Sequence, residues 1–276
     1  MVVIKRLFAL VGIIAALSSC EVPVDVELPH IERLVVDGFV GLSPEDGELR
    51  VLRTLPPLAR VSVSDMTVPN ADVVLEWKGA QGGIFTLQRN PDSVTFALPK
   101  EAESWEDGIA VLRVQGIGKT ATATTRIPGR PVVLSTRVVD TVSDYGTNVT
   151  FVLVDVEVDR SSVIWTQNEF WFFSSDTRPL AGYRQWTLAP FDPLSSSSRT
   201  TMRLVVFDRN DYSLPDSVTI TITSADPAFE RYLRSPYGSG ESIFGFSGVN
   251  PWFNVQGDGL GLFIGASSTK IKVGLR

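Results

Sequence analysis

Histidine and cysteine are almost absent from this chain, whose 276 residues include one of each, His30 and Cys20. Both lie in the first thirty residues, ahead of the stretch that carries the regular pattern of a folded domain. That inventory excludes a histidine-based catalytic triad, a cysteine–histidine pair and a zinc site made of cysteine and histidine. No pair of acidic residues stands out in a local catalytic motif either. We therefore expect a protein that is not an enzyme and that needs no cofactor and no metal.

An excess of basic residues is also lacking. The formal net charge is −6, and it becomes −8 if the first 19 residues, which contain Lys5 and Arg6, are removed. A negative protein repels a phosphate backbone, so nucleic acid is excluded as a partner. Hydrophobic residues make up 43% of the chain and charged residues 20%. These proportions favour a folded core and exclude an intrinsically disordered chain.

A hydrophobic run long enough to cross a bilayer is missing as well. The apolar run Leu7–Ala16 is about half of the ~20 residues that a membrane-spanning helix needs. It follows Lys5 and Arg6 and precedes Ser18 and Ser19. A basic region, an apolar region and small residues, in this order, are typical of a secretory signal peptide. Residues 1–19 are therefore interpreted as a signal peptide and not as a membrane span.

The segment Leu17-Ser18-Ser19-Cys20 resembles the lipobox of bacterial lipoproteins, in which a branched apolar residue and two small residues precede a cysteine. The resemblance implies that the Cys20 thiol receives a diacylglycerol, that the chain is cut before Cys20, and that the new amino terminus is acylated with a fatty acid such as palmitate. Several acyl chains anchor a protein stably, because each buried methylene adds roughly 0.8 kcal/mol. We expect lipid attachment at Cys20. The alternative is an ordinary signal peptide followed by an unrelated free cysteine.

After residue 30 the chain consists of short β-like runs separated by turn residues, which predicts an all-β fold. Pro128-Gly129-Arg130-Pro131 is the best candidate linker, since two prolines around a glycine continue neither a strand nor a helix. We therefore expect an acidic tether at residues 20–30 and two β-sandwich-like domains, immunoglobulin-like or transthyretin-like. These domains are predicted at residues 31–127 and 132–276.

One short helix is predicted near the C-terminus, where Asp226 suits an N-cap and Pro227 the first helical position. All other elements are predicted as strands, because β-branched and aromatic residues alternate with polar ones. The predicted strands are Arg33–Val40, Arg60–Ser64, Ala71–Trp77, Ile84–Gln88, Ser93–Leu98, Ile109–Gln115, Thr120–Ile127, Val132–Val139, Val149–Val158, Ile164–Phe173, Met202–Phe207, Val218–Thr223 and Thr269–Val273.

Aromatic residues are concentrated in the range Trp165–Phe191. Phe170–Phe173 are consecutive, so a strand there would place two rings on each face and could not bury all four on one side. Exposed tryptophan and tyrosine rings stack on sugars or anchor a protein partner. The alternative is that the rings pack in a core or between domains. The candidate residues for a binding surface are Trp165, Trp171, Tyr183 and Trp186.

Two further patterns each have a functional and a structural interpretation. Asp155, Glu157 and Asp159 fall on one face of a predicted strand and could hold a calcium ion, although acids that alternate with valine are ordinary on a half-buried strand. The glycine-rich segment Gly257–Gly261 lacks the following helix and the Lys-Ser/Thr pair of a phosphate loop. We therefore favour a solvated strand face for the acids and close strand packing for the glycines.

Four stretches together resemble a family of bacterial outer-membrane lipoproteins catalogued as domain of unknown function 4249. The likeness extends over essentially the whole chain after the signal peptide, in matching order and spacing. The stretches are the lipobox cysteine with an acidic segment (Cys20–Pro29), an opening strand (Leu34–Gly38), a strand that begins with Pro-Asn-Ala-Asp (Val68–Leu75), and a C-terminal signature (Asn250–Phe263) that follows a helix with Tyr232 and Leu233.

The resemblance implies an accessory lipoprotein at the cell outer membrane that works beside a TonB-dependent transporter and has no enzymatic activity. Glu21, Asp25 and Glu27 resemble the acidic surface-export signal of such lipoproteins, and the alternative is that they only solvate the tether. The sequence thus predicts a lipid-anchored envelope protein that assists a transporter. The alternative is an independent lipoprotein that binds a glycan or a peptide through residues 165–191.

Overall fold

The structure, a computed structural model, describes residues 30–42, 47–56, 62–91, 93–142, 148–159, 163–173, 179–188, 199–208, 217–233, 235 and 252–275. Most of these residues lie in β-strands, and the prediction of an all-β fold is confirmed. The signal peptide and the lipid attachment residue Cys20 lie outside the described residues. In the ranges that are described, no helix has both the length and the apolar character needed to cross a membrane.

The strands of the described ranges are numbered β1 to β15 in chain order. They are β1 (Leu34–Val40), β2 (Leu49–Arg53), β3 (Asp72–Lys78), β4 (Gly83–Thr86), β5 (Thr95–Phe96), β6 (Gly108–Gly116), β7 (Lys119–Ile127), β8 (Val132–Val142), β9 (Asn148–Glu157), β10 (Val163–Phe173), β11 (Pro179–Leu188), β12 (Arg199–Asp208), β13 (Ser217–Ala225), β14 (Val255–Gly257) and β15 (Gly259–Gly274). Two short helices, α1 (Val63–Met66) and α2 (Ala228–Leu233), and a 3-10 helix (Lys100–Ser104) accompany them.

These strands form sheets of seven, five and three strands, with the orders β11-β10-β13-β15-β1-β2-β5, β14-β7-β6-β3-β4 and β12-β9-β8. The long strand β15 pairs with an early strand, β1, and with a late strand, β13. Its first half pairs parallel with β1, with Gly261 opposite Val36, and its second half pairs antiparallel with β13, with Ile271 opposite Ile220. Strand pairing therefore crosses the predicted linker at 128–131, and the division into domains 31–127 and 132–276 stays a prediction.

The first core lies between the five-stranded sheet and the strands β1, β2 and β5. Alternate residues are buried, as in β3, where Val73, Leu75 and Trp77 are at most 3% exposed. The Trp77 ring stacks on that of Trp105, with the ring centroids 4.8 Å apart and 3° between their planes. Side chains from two facing sheets thus fill one layer, which is the packing of a β-sandwich.

A second core lies between the three-stranded sheet and the strands β13 and β15. Val152, Val154 and Val156 of β9 are fully buried, and so are Ile220 and Ile222 of β13. Both cores therefore use the seven-stranded sheet as one wall. The predicted β-sandwich fold class is confirmed by this sheet-on-sheet packing.

The helix predicted near the C-terminus is present as α2. The Asp226 carboxylate accepts a hydrogen bond from the backbone N–H of Ala228 at 2.7 Å and so caps the first turn. Its second oxygen accepts hydrogen bonds from the backbone N–H of Arg126 at 2.7 Å and from the Thr125 hydroxyl at 3.1 Å. One side chain therefore both begins α2 and ties it to β7.

The strand predicted at Arg60–Ser64 is wrong where the structure describes it, because Val63–Met66 form helix α1. The Ser62 hydroxyl accepts a hydrogen bond from the backbone N–H of Asp65 at 3.3 Å, and the Asp65 carboxylate accepts one from the backbone N–H of Ser62 at 3.1 Å. This reciprocal capping box outweighs the short alternation of valine and serine. The 3-10 helix at Lys100–Ser104 is a further element that the sequence pattern did not predict.

Candidate functional site

The four aromatic residues predicted to form a binding surface lie on the neighbouring strands β10 and β11. Directly opposite residues of an antiparallel pair share one face of the sheet, and the faces alternate along each strand. Trp165, Trp171 and Trp186 therefore share one face, and Tyr183 lies on the other. The register that establishes this pairs Trp165 with Leu188, Gln167 with Trp186, Phe170 with Tyr183, and Trp171 with Gly182.

The next strand, β13, shows which of these two faces is the buried one. In its pairing with β10, Thr166 lies opposite Ile222 and Gln167 lies opposite Thr221. Ile222 is fully buried in the second core, whereas Thr221 is partly exposed. The three tryptophan positions thus share the face of β13 that carries Thr221, and the position of Tyr183 continues the core side. At Trp165 the opposite residue is Thr223, which is 3% exposed, so this end of the face is buried. We call this face of strands β11, β10, β13 and β15 the outer face.

The three tryptophan positions on the outer face are spread along the strands. Trp165 and Trp171 are six residues apart on β10, which corresponds to about 20 Å. Trp186 lies on β11 opposite Gln167, about 8 Å from Trp165 along and across the strands. Polar residues such as Gln167 and Glu169 stand between them on the same face. This arrangement suits an elongated ligand better than a single compact one.

Two lysines that the sequence analysis did not single out lie on the same outer face. Lys270 and Lys272 belong to β15 and lie opposite Thr221 and Thr219 of β13. Both lysine side chains are exposed. The alternation in the predicted strand Thr269–Val273 was the available signal, since it separates these lysines from Ile271 and Val273. The sequence pattern did not indicate that β15 pairs with β13 in the sheet.

Asp155 of β9, one of three acids considered for a calcium site, is held by hydroxyl groups of the adjacent strands. It accepts hydrogen bonds from the Ser135 hydroxyl at 2.5 Å and from the Thr201 hydroxyl at 2.6 Å. These two hydrogen bonds hold the pKa of the Asp155 carboxyl below its ordinary value. Each Asp155 carboxylate oxygen therefore accepts a hydrogen bond from a neighbouring strand, one from Ser135 of β8 and the other from Thr201 of β12.

The other two acids, Glu157 at the end of β9 and Asp159 just beyond it, have partners of their own. Glu157 lies 3.6 Å from the Arg199 guanidinium, and Asp159 lies 2.6 Å from the Arg126 guanidinium. No group of three potential metal ligands occurs within the ranges that the structure describes. The contacts support a strand face with paired acids, and they give no support to a shared calcium ion.

Asp37 of β1 and Arg50 of β2 form a charged group with Glu48, which directly precedes β2. Burial raises the pKa of the Asp37 carboxyl above its ordinary value, Arg50 at 3.7 Å lowers it, and Glu48 raises it again. The Arg50 Nε donates a hydrogen bond to Glu48 at 2.9 Å. The Arg50 guanidinium therefore forms ion pairs with two carboxylates, those of Asp37 and Glu48. We assign this group to the stability of the β1–β2 pair.

A surface groove of about 310 Å³ lies beside β3 and β4. The sequence analysis assigned no binding role to its residues. Phe96 is 4% exposed, so the groove offers polar side chains and backbone but no exposed aromatic ring. It therefore carries no functional assignment. Its lining residues are Asn70, Ala71, Asp72, Thr86, Leu87, Gln88, Arg89 and Phe96.

The described part of the C-terminal signature has a structural role. The Asn254 side chain donates a hydrogen bond to the backbone oxygen of Phe263 at 2.6 Å and accepts one from the backbone N–H of Phe263 at 2.9 Å. Phe263 itself is fully buried in the first core. The asparagine thus fixes the start of β15 against the segment before β14. This part of the signature positions strands and presents no site of its own.

Comparisons with known proteins add little to this description. No family model matches the chain, and no curated protein matches it. Among solved structures, the chain is similar to the chicken interferon gamma receptor alpha chain, at 10% sequence identity, with 69% of this chain and 86% of that chain covered and a TM-score of 0.20. A similarity of this size supports no inference about function. The resemblance to the lipoprotein family stays a prediction.

Proposed function

We propose that this protein is a lipid-anchored, non-enzymatic component of the bacterial outer membrane that assists a TonB-dependent transporter. The observation that carries the proposal is the position of the single cysteine, Cys20, which directly follows Leu17-Ser18-Ser19 and an apolar run too short to span a bilayer. The resemblance to the family of outer-membrane lipoproteins supports the transporter as the partner.

An exposed sheet edge supports a role in contact with another protein. Strand β8 is one of the two edge strands of the three-stranded sheet, and its eleven residues include three exposed apolar side chains. Val132, Leu134 and Val142 are 55%, 44% and 61% exposed. Exposed apolar residues beside unpaired backbone groups favour association with a partner. We therefore place the transporter contact at the edge of β8.

The test is co-purification from detergent-solubilised native envelopes, with mass spectrometry of the captured proteins. We expect a TonB-dependent transporter in near one-to-one amount with the full protein. Leu134→Lys should reduce the captured transporter by about tenfold, because it puts a charge into an apolar contact. Ile84→Lys is the matched control, since Ile84 is 74% exposed on the short edge strand β4 and should leave capture unchanged.

Residues 1–30 fused to an unrelated soluble domain control for the anchor. This fusion should reach the membrane without capturing the transporter. Absence of any transporter from the full protein, or equal capture by the anchor-only fusion, would overturn the proposal. Equal loss of capture in Leu134→Lys and Ile84→Lys would contradict the placement at β8.

A second candidate function is the binding of a glycan or a peptide by the outer face. The observation that favours it is the register of β10 and β11, which gives the positions of Trp165, Trp171 and Trp186 one face of the sheet, the face that carries the partly exposed Thr221 of β13. Tryptophan rings combine a large apolar face with a polar N–H group, and they are frequent anchors in binding surfaces. This function is compatible with an accessory role beside a transporter.

Paired substitutions on β11 test the second candidate. We expect Trp186→Ala to weaken binding to glycan or peptide arrays by about tenfold, because the register places position 186 on the outer face. Tyr183→Ala removes a ring from the opposite face and should change binding less than twofold. The melting temperature of both variants controls for folding. If Tyr183→Ala weakened binding as much as Trp186→Ala at equal stability, the assignment of the outer face would be wrong.

A further inference from the structure

The sheet edges differ in how well they are protected from pairing with another chain. The edge strands β4, β5 and β14 have four, two and three residues, whereas the edge strand β8 has eleven. Short length, lysine and proline are common protections of an edge strand. Strand β8 is long and contains neither lysine nor proline. The side of β8 that faces away from β9 is therefore suited to pair with an additional strand.

The backbone of β8 is regular over most of its length. Its pairing with β9 shifts between Val133 and Ser135 and then continues without interruption from Ser135 to Val142. Alternate residues of an antiparallel strand direct their N–H and C=O groups to the same side. About four of these eight residues therefore direct them away from β9, to a side where none of the described strands lies. An extended segment of a partner forms hydrogen bonds with such an edge.

The charge beside this edge specifies the chemistry of the added segment. Arg137 of β8 lies opposite Leu153 of β9, which in turn lies opposite Arg203 of β12. Both arginine side chains are exposed, and this row across the sheet contains no carboxylate. Among the described residues, Arg137 forms no ion pair. An acidic residue opposite Arg137 in an added strand would form a favourable cross-strand pair.

The other face of β8 favours an apolar residue in the added segment. Val138 lies opposite the fully buried Val152 and packs against the second core. Val138 is nevertheless only partly buried. An apolar side chain beside it would remove more of its surface from water. Because neighbouring residues of a strand point to opposite faces, the segment that fits β8 alternates acidic and apolar residues.

A second copy of β8 does not supply this pattern. The one acidic residue of β8 is Asp140, which accepts a hydrogen bond from the Thr150 hydroxyl at 2.7 Å. Asp140 lies three residues from Arg137 and therefore on the other face of the sheet. Directly opposite residues of an antiparallel pair share a face, so two copies of β8 paired in this way could not place Asp140 opposite Arg137. The charge pattern favours a segment of another protein.

We propose that the transporter contributes an extended segment that pairs with Ser135–Val142 as the fourth strand of the three-stranded sheet. An acidic residue of this segment lies opposite Arg137, and an apolar residue next to it covers Val138 on the other face. This inference rests on the proposed transporter contact at β8, and it specifies the geometry of that contact and the chemistry of the partner's segment.

Hydrogen exchange tests the strand pairing. The full protein captured with the transporter in detergent is compared with the full protein alone, at single-residue resolution by mass spectrometry. We expect about four alternate amides within Ser135–Val142 to exchange at least about tenfold more slowly in the complex. The amides of β4 are the internal control and should not change. A complex whose β8 amides gain no protection would overturn the strand pairing and leave the transporter role intact. Absence of any captured transporter would overturn both.

Charge reversal tests the acidic residue of the segment. Arg137→Glu should reduce the captured transporter by about five- to tenfold, because it replaces an attraction by a repulsion. Arg137→Lys keeps the charge and should stay within about twofold of the unaltered protein. Arg203→Glu is the matched control, since it reverses a charge in the same row on β12, at the other edge of the sheet. It should also change capture less than about twofold, and melting temperatures control for folding.

Three results of the capture experiment would contradict the proposal. Unchanged capture by Arg137→Glu would overturn the acidic segment. Equal losses in Arg137→Glu and Arg203→Glu at equal stability would indicate a partner on the face of the sheet and overturn pairing at the edge. Co-purification of a second, differently tagged copy of this chain through β8, in place of the transporter, would overturn the choice of partner.

Discussion

Replacement of Cys20 by alanine is expected to release this protein from the outer membrane. The variant has no thiol to receive diacylglycerol, so it loses the acyl chains, each methylene of which contributes roughly 0.8 kcal/mol of membrane affinity. We expect the ratio of outer-membrane to soluble protein to fall by at least about tenfold. Immunoblotting of envelopes separated by density measures this ratio. Separation by density distinguishes the two membranes, so a variant that is held in the inner membrane by its uncleaved apolar leader does not contribute to the outer-membrane fraction.

Ser19→Ala is the matched control for this substitution. It retains a small residue directly before Cys20 and therefore keeps the lipobox pattern. We expect it to fractionate with the outer membrane as the unaltered protein does. If Cys20→Ala remained in the outer membrane as firmly as Ser19→Ala, an anchor other than the lipid would be required.

Substitution of Gly261 by alanine is expected to cost about 3–5 kcal/mol in the free energy of unfolding. Gly261 lies in β15 with a φ of +112°, a backbone conformation that an L side chain rarely adopts. A Cβ atom there would lie 1.9 Å from the backbone oxygen of Val36, so β1 and β15 could not keep their parallel pairing. Urea denaturation of residues 21–276, produced without the leader, measures the loss.

Gly118→Ala separates the two causes of this loss. Gly118 also has a positive φ, +69°, but a Cβ atom there meets no other atom within 4 Å. The cost should therefore be about 1 kcal/mol, which reflects backbone conformation alone. Equal costs for the two alanine variants would show that β1 does not approach β15 as closely as the structure has it.

Patterns of neighbouring residues correctly predicted those strands and helix ends that depend on alternation of apolar side chains or on a capping side chain. The alternation in Val218–Thr223 predicted β13, whose Val218, Ile220 and Ile222 are fully buried. Asp226 and Pro227 predicted the start of α2, and the Asp226 carboxylate does accept the capping hydrogen bond. In contrast, the valine–serine alternation around Ser62 predicts a strand, whereas the capping box of Ser62 and Asp65 begins helix α1 there.

Long-range pairing was beyond the reach of the sequence patterns. Nothing local indicates that β15 pairs parallel with β1 and antiparallel with β13 within one continuous strand. The aromatic stretch shows the same limit. Its consecutive residues predicted that rings divide between two faces, but only the pairing with β13 identifies the face of Trp186 as the outer face. The contribution of Lys270 to that face became visible for the same reason.

The most direct test of the central claim is mass spectrometry of the mature N-terminal peptide, prepared from the purified protein of native outer membranes. We predict that the chain begins at Cys20, that the Cys20 sulfur carries a diacylglycerol, and that its amino group carries a fatty acyl chain. A chain that begins at another residue, or an unmodified Cys20, would contradict the lipid anchor on which the proposed function depends.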